Sequence, residues 1–517
     1  MMKINESSSS RYYLDANNNV SDPFDESRFN IKSFYKNTCV LVTGGTGFLG
    51  KVLIEKLLRT CEDIQCVYVL VRSKRGLSSE KRYADLIKNP IFDRIRTSNP
   101  NQLHKLICVA GDIAQPMIGL TESDVTKLIE NVNIVFHSAA TVRFDQKLTD
   151  AANLNTLGSK RLWDLCEKMI QLKSIIHVST AYTNPCRDHV EETVYPPKVQ
   201  FDTDSFIKCV NILPSEVVNS IAVSLQGAHP NTYTLTKSIA EQIAADYHHR
   251  LPICIVRPSI VTAALNEPFP GWVDNINGIT GIMMEISRGT ITSIMCNKNL
   301  VMDLIPVDIV CNTMIAAAWM SYFKPSNSIR VYNCTSGELN PVIWQDYGLA
   351  TLKYARKNPT KYVMLYPNFT YRTNRVVHTF YELFYHFLPA FVFDVLLRLQ
   401  GTKPFLLKIA KRYKAAADTG EFFAMHEWKF ETTNMKELLC EINCATDGSD
   451  FNCDVRAMNW DSYIENYMFG IRKYVLKDGL ESMEKARKAL KRLYITKWVM
   501  NLGLIGIFLW MYWMLFT

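Results

Sequence analysis

The sequence has no strong excess of positive or negative charge, which argues against partners that require one. Its 58 Lys and Arg residues only slightly outnumber its 50 Asp and Glu residues, leaving a formal net charge of +8 over 517 residues. Nucleic-acid-binding domains concentrate far more basic charge, so we predict no nucleic-acid partner. A mild positive charge suits an anionic substrate or a membrane surface, but we interpret it as a diffuse surface excess. The length allows two or three domains with sizeable cores.

The sequence also lacks a secretory signal and a disulfide framework. Residues 1–30 contain the polar runs SSSS and ANNN and no apolar stretch, so we predict a disordered N-terminal tail. The 14 cysteines are scattered, as is typical of reduced thiols in the cytosol. Cys440, Cys444, Cys453 and His426 cluster, but their spacing matches no common zinc pattern. We therefore predict no metal site.

Charge is absent from one long apolar run near the C-terminal end. Residues 498–516 form a run of 19 without a charged side chain, enough for a helix to cross the apolar core of a bilayer. Tryptophans lie near both ends of this run, as interfacial anchors do. The basic residues just before it should stay in the cytosol, namely Lys488, Lys491, Arg492 and Lys497. We predict a single-pass C-terminal membrane anchor with the catalytic domain in the cytosol.

Short apolar runs alternate with helical patterns between residues 31 and 360. We interpret six runs as buried strands: CVLVTG, CVYVLVR, KLICVAGD, VNIVFHSAA, KSIIHVSTAY and LPICIVRPSIV. Strands that alternate with helices form a parallel sheet covered on both faces. The prediction is an α/β fold, with a doubly wound parallel-sheet Rossmann-type domain over 31–360. Aromatic-rich helical patterns predict a mainly helical C-terminal domain over 361–485.

A polar stripe runs along the first helical pattern of this C-terminal domain. His378, Glu382 and His386 recur every four residues and so share one helix face, and Asp394 follows beyond Pro389. The stripe predicts an amphipathic or membrane-skimming helix rather than a metal site. Because the segment contains several ionisable side chains and a proline, we do not predict a second membrane span here.

The stretch VLVTGGTGFLG places four glycines where a predicted strand passes into a helix. Gly44, Gly47 and Gly50 match the glycine spacing of dinucleotide-binding βα turns, in which backbone N–H groups at a helix N-terminus hold a pyrophosphate. We predict that this turn binds a dinucleotide cofactor. The predicted contacts are Thr43, Gly44, Gly45, Thr46, Gly47, Phe48, Leu49 and Gly50.

The end of the second predicted strand indicates which dinucleotide binds. An NAD site usually carries an acidic residue there, whereas this chain has Arg72 and Arg75, which suit a 2′-phosphate and predict NADPH. The alternative is a solvated basic turn. Asp112 follows the third strand, where it can reach the adenine, and the small residues Ala139 and Ala140 end the fourth strand beside the cofactor.

The predicted catalytic residues come from one helix and one strand end. Tyr233 and Lys237 in YTLTK are one helical turn apart and share a face. A phenol is a poor acid at neutral pH, and a nearby ammonium group lowers its pKa, so we expect Lys237 to lower the pKa of Tyr233. Lys237 could also hold the nicotinamide ribose. In HVSTAY, the hydroxyl of Thr180 could orient a substrate carbonyl, and Ser179 offers a second hydroxyl.

These residues resemble the short-chain dehydrogenase/reductase superfamily in its extended branch. The motifs TGGTGFLGKVLIEKLLR, AATVRFD, HVSTAY, YTLTKSIAE, VRPSIV and EPFPGWVDNINGITG are together similar to those of alcohol-forming fatty acyl-CoA reductases. The C-terminal segments FYHFLPAFVFDVLLRLQG and NWDSYIENYMFGIRKYVLK are similar to the C-terminal domain of that family. The resemblance covers roughly residues 35–480 and the terminal anchor, and an insect-type, membrane-anchored member is the nearest likeness.

The resemblance implies NADPH-dependent reduction of long-chain fatty acyl-CoA to a primary alcohol, with release of CoA. It implies catalysis by Tyr233, Lys237 and a strand-end hydroxyl. For that hydroxyl we favour Thr180 over Ser179, because it lies where extended members place theirs. The resemblance also adds Pro258 of VRPSIV to the cofactor contacts. For Asn155, it leaves open a structural role or a proton-relay role. A location on the endoplasmic reticulum or the peroxisome is expected, and the oligomeric state is not predicted.

Three other functions are weighed against this one. An aldehyde-releasing acyl-CoA reductase would share all of these motifs. A sterol or sugar-nucleotide enzyme of the same superfamily would not need the long C-terminal domain. A non-catalytic scaffold would be expected to have lost Tyr233 or Lys237, and both are present.

Overall fold

A seven-stranded parallel sheet forms the centre of the molecule. The computed structural model describes residues 28–516 except positions 75, 198, 200 and 405, so most of the predicted N-terminal tail lies outside the described residues. The strands of the sheet are β1 Cys39–Thr43, β2 Cys66–Val71, β3 Leu106–Ala110, β4 Val132–His137, β5 Ser174–Val178, β6 Ile253–Pro258 and β7 Arg330–Cys334. The predicted parallel α/β fold is confirmed.

The strand order across the sheet is β7-β6-β5-β4-β1-β2-β3. Leu41 of β1 pairs with Tyr68 of β2 on one side and with Val135 of β4 on the other. The order therefore reverses between β1 and β4, and the carboxyl ends of these two strands border a crevice where open α/β sheets bind ligands. Because helices cover both faces, β1, β2, β4, β5 and β6 are buried along their whole length.

Helices and short strand pairs surround the sheet. The first fourteen helices are α1 Ile31–Tyr35, α2 Phe48–Thr60, α3 Ser79–Ile87, α4 Asp93–Ser98, α5 Glu122–Asn131, α6 Leu148–Ala151, α7 Leu157–Cys166, α8 Thr203–Ile212, α9 Ser215–Ser220, α10 Ala222–Gln226, α11 Thr232–Tyr247, α12 Ile279–Arg288, α13 Val307–Phe323 and α14 Trp344–Lys357. Short parallel pairs join Ile260–Thr262 to Leu304–Pro306, Ser293–Met295 to Thr370–Arg372, and His189–Val190 to Lys429–Phe430.

The C-terminal part is mainly helical, as predicted. Its helices are α15 Arg375–Tyr381, α16 Leu388–Leu399, α17 Leu406–Ala424, α18 Thr433–Cys444, α19 Trp460–Gly470 and α20 Met483–Phe516. The carboxylate of Asp447 accepts hydrogen bonds from the backbone N–H groups of Ile31 and Lys32 at 2.9 and 2.8 Å. The C-terminal part is thus joined to the first helix of the chain and packs as part of the same body.

Helices α15 to α17 form a hairpin that we call the apolar hairpin. A π-helical segment, Glu382–Phe387, joins α15 to α16, and α17 packs back along them. Large apolar side chains are exposed along the first arm: Val376, Val377, Phe380, Leu383, Phe384, Tyr385, Leu388, Phe391, Val392, Phe393, Val395, Leu396 and Leu399. Within the described part of the chain, Arg375–Leu399 is the one run that meets the length and composition needed to cross a membrane.

The last helix contains the predicted membrane anchor. Helix α20 runs from Met483 to Phe516, so residues 498–516 are helical, although most of their side chains lie outside the described residues. The base of α20 packs on the protein, with the rings of Tyr494 and Tyr366 5.0 Å apart. The anchor itself stays a prediction.

Candidate active site

The glycine-rich turn lies at the crevice between β1 and β4. Gly44 has a φ of +76°, and a Cβ atom there would lie 2.7 Å from the backbone nitrogen of Ala139 at the end of β4. A Cβ atom on Gly50 would lie 2.4 Å from the carbonyl oxygen of Gly44. Glycine is therefore required for the turn to fit between the strand ends and for α2 to pack on it. Gly47 is the exposed N-cap of α2, which leaves backbone N–H groups facing the crevice.

The other predicted cofactor contacts near this turn either pack inside the protein or lie at the edge of the crevice. The Thr43 hydroxyl is 2.8 Å from Nδ1 of His137 and accepts the N–H of Ala139 at 3.3 Å. Gly45 lies under β2, because a Cβ there would meet the side chain of Val69 at 2.6 Å. Phe48 and Leu49 pack against the core of the sheet, and Ala140 is half-buried beside Ala139.

Three charged side chains meet at the ends of β2 and β3. An Arg72 guanidinium nitrogen lies 3.5 Å from a carboxylate oxygen of Asp112. Arg82 of α3 donates to the hydroxyl of Thr46 at 2.9 Å and to the carbonyl oxygen of Arg72. Arg75 lies outside the described residues. Arg82 was not predicted, because only the packing of α3 brings it to Thr46, which lies 36 residues earlier in the chain.

Helix α11 carries Tyr233 and Lys237 to the carboxyl end of β5. Asn231 caps the helix by accepting the N–H of Thr234 at 2.9 Å. The Lys237 ammonium group donates to the carbonyl oxygen of Val178, the last residue of β5, at 2.7 Å. Burial lowers the pKa of Lys237 to about 8, an effect that Glu241 opposes. Burial and the charge of Lys237 lower the pKa of His137 to about 3, so that imidazole is neutral.

Tyr233 lies half-buried beside Thr180. Burial raises the pKa of Tyr233 to about 12, and a side-chain hydrogen bond with Thr180 acts in the opposite direction. This differs from our expectation that Lys237 lowers the Tyr233 pKa, because the ammonium group is directed to the end of β5 instead. With this pKa, Tyr233 is protonated at neutral pH and can serve as a proton donor.

The two strand-end hydroxyls have different surroundings. The Thr180 side chain lies near enough to Tyr233 to act on its pKa, and its hydroxyl accepts the N–H of Tyr182 at 3.4 Å. The Ser179 hydroxyl is buried and has no hydrogen-bond partner among the described residues. The structure therefore brings Thr180, and not Ser179, into contact with the tyrosine. The assignment of the catalytic hydroxyl to Thr180 stays a prediction that this geometry supports.

A buried ion pair holds α11 on the sheet. The Arg257 guanidinium group of β6 donates to both carboxylate oxygens of Glu241, at 2.8 and 2.7 Å, one helical turn beyond Lys237. Pro258, the last residue of β6, pairs with Cys334 of β7. Asn155 donates to the Thr236 hydroxyl at 3.0 Å and to the carbonyl oxygen of Thr141, so its contacts are those of a structural residue.

The polar clusters considered as metal sites have other contacts. Within the described residues, no three His, Cys, Asp or Glu side chains converge as metal ligands. His378 bonds with the Ser293 hydroxyl at 2.8 Å, and His386 accepts the N–H of Thr292 at 3.0 Å. His426 bonds with the carbonyl oxygen of Phe422.

The fold and this site together define an NAD(P)-binding oxidoreductase with a Rossmann-type sheet. An NAD-binding family model described as "Male sterility protein" matches residues 42–314, and a second model of the same description, "Sterile", matches 385–478. Fatty acyl-CoA reductase 1 of Pongo abelii is 39% identical over 475 residues, with 92% of each chain covered. Fatty acyl-CoA reductase 2 of Mus musculus is 38% identical over 474 residues, again with 92% of each covered. The chain belongs to the fatty acyl-CoA reductase family, as its resemblance indicated.

Solved structures share the fold at low sequence identity. The reductase domain of a nonribosomal peptide synthetase from Mycobacterium tuberculosis superposes with a TM-score of 0.56 at 16% identity, covering 87% of this chain and 98% of that one. The terminal reductase domain of the myxalamid pathway superposes with a TM-score of 0.54 at 19% identity, covering 84% and 91%. These matches support the Rossmann-type architecture.

Proposed function

We propose that this protein reduces a long-chain fatty acyl-CoA to a primary alcohol, with an aldehyde held between two reductions. The observation that carries the proposal is the contact of Tyr233 with Thr180 at the strand ends beside the glycine-rich turn. Its relatives are named for fatty acyl-CoA reduction, and the C-terminal part that accompanies this activity in the family is present.

The glycine-rich turn fits a dinucleotide, because Gly44 lets the turn pack against the end of β4 and Gly47 caps α2, whose first backbone N–H groups can hold a pyrophosphate. When bound, NADPH supplies the hydride for both reductions. The hydroxyls of Thr180 and Tyr233 would stabilise the negative charge that develops on the thioester oxygen. Loss of the C–S bond then releases CoA thiolate and leaves an aldehyde. In the second reduction, Tyr233 donates its proton to the oxygen of the forming alcohol.

Preference for NADPH over NADH is part of this proposal. Arg72 and Arg82 meet beside Thr46, at the position where the adenosine ribose lies in Rossmann-type sites. Two guanidinium groups can bind a 2′-phosphate through several charge-assisted hydrogen bonds. Arg82 thus joins Arg72 as a proposed contact, and Asp112 orients Arg72.

An aromatic wall next to Tyr233 suits an apolar acyl chain. The ring of Phe144 lies 5.7 Å from that of Tyr233 and 5.3 Å from that of Phe423 at the end of α17. Tyr182 lies 5.2 Å from Phe423 on its other side. The anchor at 498–516 would hold the catalytic body on the cytosolic side of a membrane, where acyl-CoA meets both water and lipid.

Reaction stoichiometry tests the proposal. Purified full-length protein in detergent is given NADPH and hexadecanoyl-CoA, and NADPH oxidation is compared with the release of free CoA. Alcohol formation requires a ratio of about two, because each carbonyl reduction consumes one hydride. A ratio of about one, with an aldehyde that a hydrazine reagent traps, would establish an aldehyde-releasing reductase instead. The Tyr233→Phe variant serves as the inactive control.

A further inference from the structure

The apolar hairpin differs from an ordinary surface helix, because its polar side chains face the protein and its apolar side chains face outward. Its ionisable side chains are directed inward: His378, Glu382 and Asp394 are only 5, 6 and 6% exposed. Its outward face carries large apolar side chains such as Phe380 and Phe391, each 54% exposed. Soluble monomers rarely expose a continuous apolar patch of this extent, so the face requires an apolar partner.

Specific contacts keep the polar groups inside the hairpin. Glu382 accepts a hydrogen bond from the ammonium group of Lys414 at 2.9 Å, which joins the two arms. Near the bend, the Asp394 carboxylate accepts the N–H groups of Leu406 and Leu407 at 2.9 and 3.0 Å, and so caps α17. Rotating the first arm to hide its apolar face would break these bonds and the His378–Ser293 bond. These hydrogen bonds therefore keep the apolar face of the hairpin exposed.

The bend of the hairpin carries positive charge. Arg398, Lys403 and Lys408 are exposed there, and residues 398–408 contain no acidic side chain. Cations that border an apolar face are typical of segments that lie at the surface of a membrane containing anionic lipids. A lipid leaflet offers both the apolar layer and the anionic head groups that this surface would bind.

The hairpin begins close to the base of the predicted membrane anchor. Tyr366 contacts Tyr494 of α20 and lies 5.4 Å from the ammonium group of Lys497, one residue before the anchor run. The hairpin starts at Arg375, only nine residues further along the chain. The anchor and the hairpin therefore leave the body near one another, so one membrane can meet both.

The C-terminal end of the hairpin, opposite its bend, reaches the active site. Helix α17 ends at Ala424, and its Phe423 joins the aromatic wall formed with Phe144 beside Tyr233. An apolar chain that leaves a membrane along the hairpin would meet this wall before it meets the catalytic hydroxyls.

We propose that the apolar hairpin inserts its outward face into the surface of a lipid membrane, and that long-chain acyl substrates pass from that membrane along the hairpin to Tyr233. The membrane contact stands on the hairpin alone, whereas the substrate path rests on the proposed function. The partner is a bilayer leaflet with anionic head groups.

Lipid photolabelling tests the membrane contact. Full-length protein is reconstituted in vesicles of phosphatidylcholine and phosphatidylserine that contain a phospholipid with a diazirine on the upper part of its acyl chain. After irradiation, adducts are mapped by mass spectrometry. We expect adducts in residues 376–399 as well as in 498–516. Adducts confined to 498–516 would overturn the proposal, as would a separate reaction with a bifunctional amine cross-linker that pairs the hairpins of two protein copies.

Matched variants make the test independent of folding. Phe384→Ser with Phe391→Ser should lower hairpin labelling about tenfold, because burial of each aromatic side chain in the lipid stabilises the inserted state of the hairpin. Ile212→Ser with Val223→Ser changes two exposed apolar side chains of α8 and α10, and should leave hairpin labelling unchanged. Equal loss in both double variants would contradict a specific contact.

Kinetics in the same vesicles test the substrate path. The hairpin variant should lose about tenfold in kcat/KM for hexadecanoyl-CoA, which partitions into lipid, and should retain its rate with water-soluble octanoyl-CoA. Equal losses of kcat/KM with both substrates would overturn the proposed path of the substrate along the hairpin. If the wild-type protein reduced neither substrate, the proposed function would fail, while the adduct map would still decide whether the hairpin contacts lipid.

Discussion

The Arg257–Glu241 ion pair offers a direct test of how the fold holds α11, the helix that carries the proposed catalytic residues. Both side chains are almost fully buried, at 0 and 1% exposure. Arg257 also donates to the carbonyl oxygens of Glu191 and Thr193, at 3.2 and 2.8 Å. One side chain thus joins β6, α11 and the segment after β5. We predict that Arg257→Leu loosens α11 and lowers turnover severely.

The magnitude follows from the burial of the pair. Removing one partner of a buried, hydrogen-bonded ion pair costs about 3–5 kcal/mol, because the remaining charge is left uncompensated. Every 1.4 kcal/mol changes an equilibrium by about tenfold, so local opening of α11 should become roughly 100-fold to 4000-fold more frequent. Lys237 lies one turn before Glu241, and its bond to Val178 would be lost in the opened state.

Hydrogen–deuterium exchange on the full-length protein in detergent measures this opening. Amides of Thr232–Tyr247 should exchange faster in Arg257→Leu, while those of Phe48–Thr60 serve as the internal control. The double variant Arg257→Met with Glu241→Leu should recover much of the protection, because apolar replacement of a buried pair is often neutral. Unchanged exchange in the single variant would refute the view that this pair holds the helix.

Three further predictions concern the site itself. Tyr233→Phe should abolish reduction while NADPH binding, measured by fluorescence titration, stays within a few-fold, since only the proton donor is lost. Thr180→Val should lower kcat by about 10-fold to 1000-fold if its hydroxyl stabilises the oxyanion; a greater loss in Ser179→Ala would reverse the assignment. Replacing Arg72 and Arg82 by Ala should raise KM for NADPH far more than KM for NADH, and equal increases would mean that neither residue binds a 2′-phosphate.

Local sequence patterns predicted most of the sheet. β1 to β6 lie within the six apolar runs interpreted as strands, because a strand buried on both faces needs a continuous apolar run. The seventh strand, Arg330–Cys334, was missed, because a short run that begins with arginine and contains Asn333 has no such pattern. Its pairing with β6 and the packing of α18 define it, and neither is visible in the local sequence.

The proposed catalytic constellation was predictable in part, because some of its spacings are local. Tyr233 and Lys237 share a helix face whatever the rest of the chain does. The pKa of Tyr233 was not predictable, because it depends on how deeply the ring is buried and on where the Lys237 ammonium group is directed. Arg82 and Phe423 reach the site through packing across long stretches of chain, and a single sequence carries no signal for such contacts.

The apolar hairpin shows why a helical pattern alone leaves orientation open. The periodicity of His378, Glu382 and His386 correctly places them on one face, but the usual expectation is that such a face meets water. Here Ser293, Thr292 and Lys414 bond to that face, so it is satisfied inside the protein. Once the polar face is turned inward, helical geometry forces the apolar face outward. Only an apolar environment can compensate for that exposure, which is why the orientation of one polar stripe leads to the proposed contact of the hairpin with a membrane.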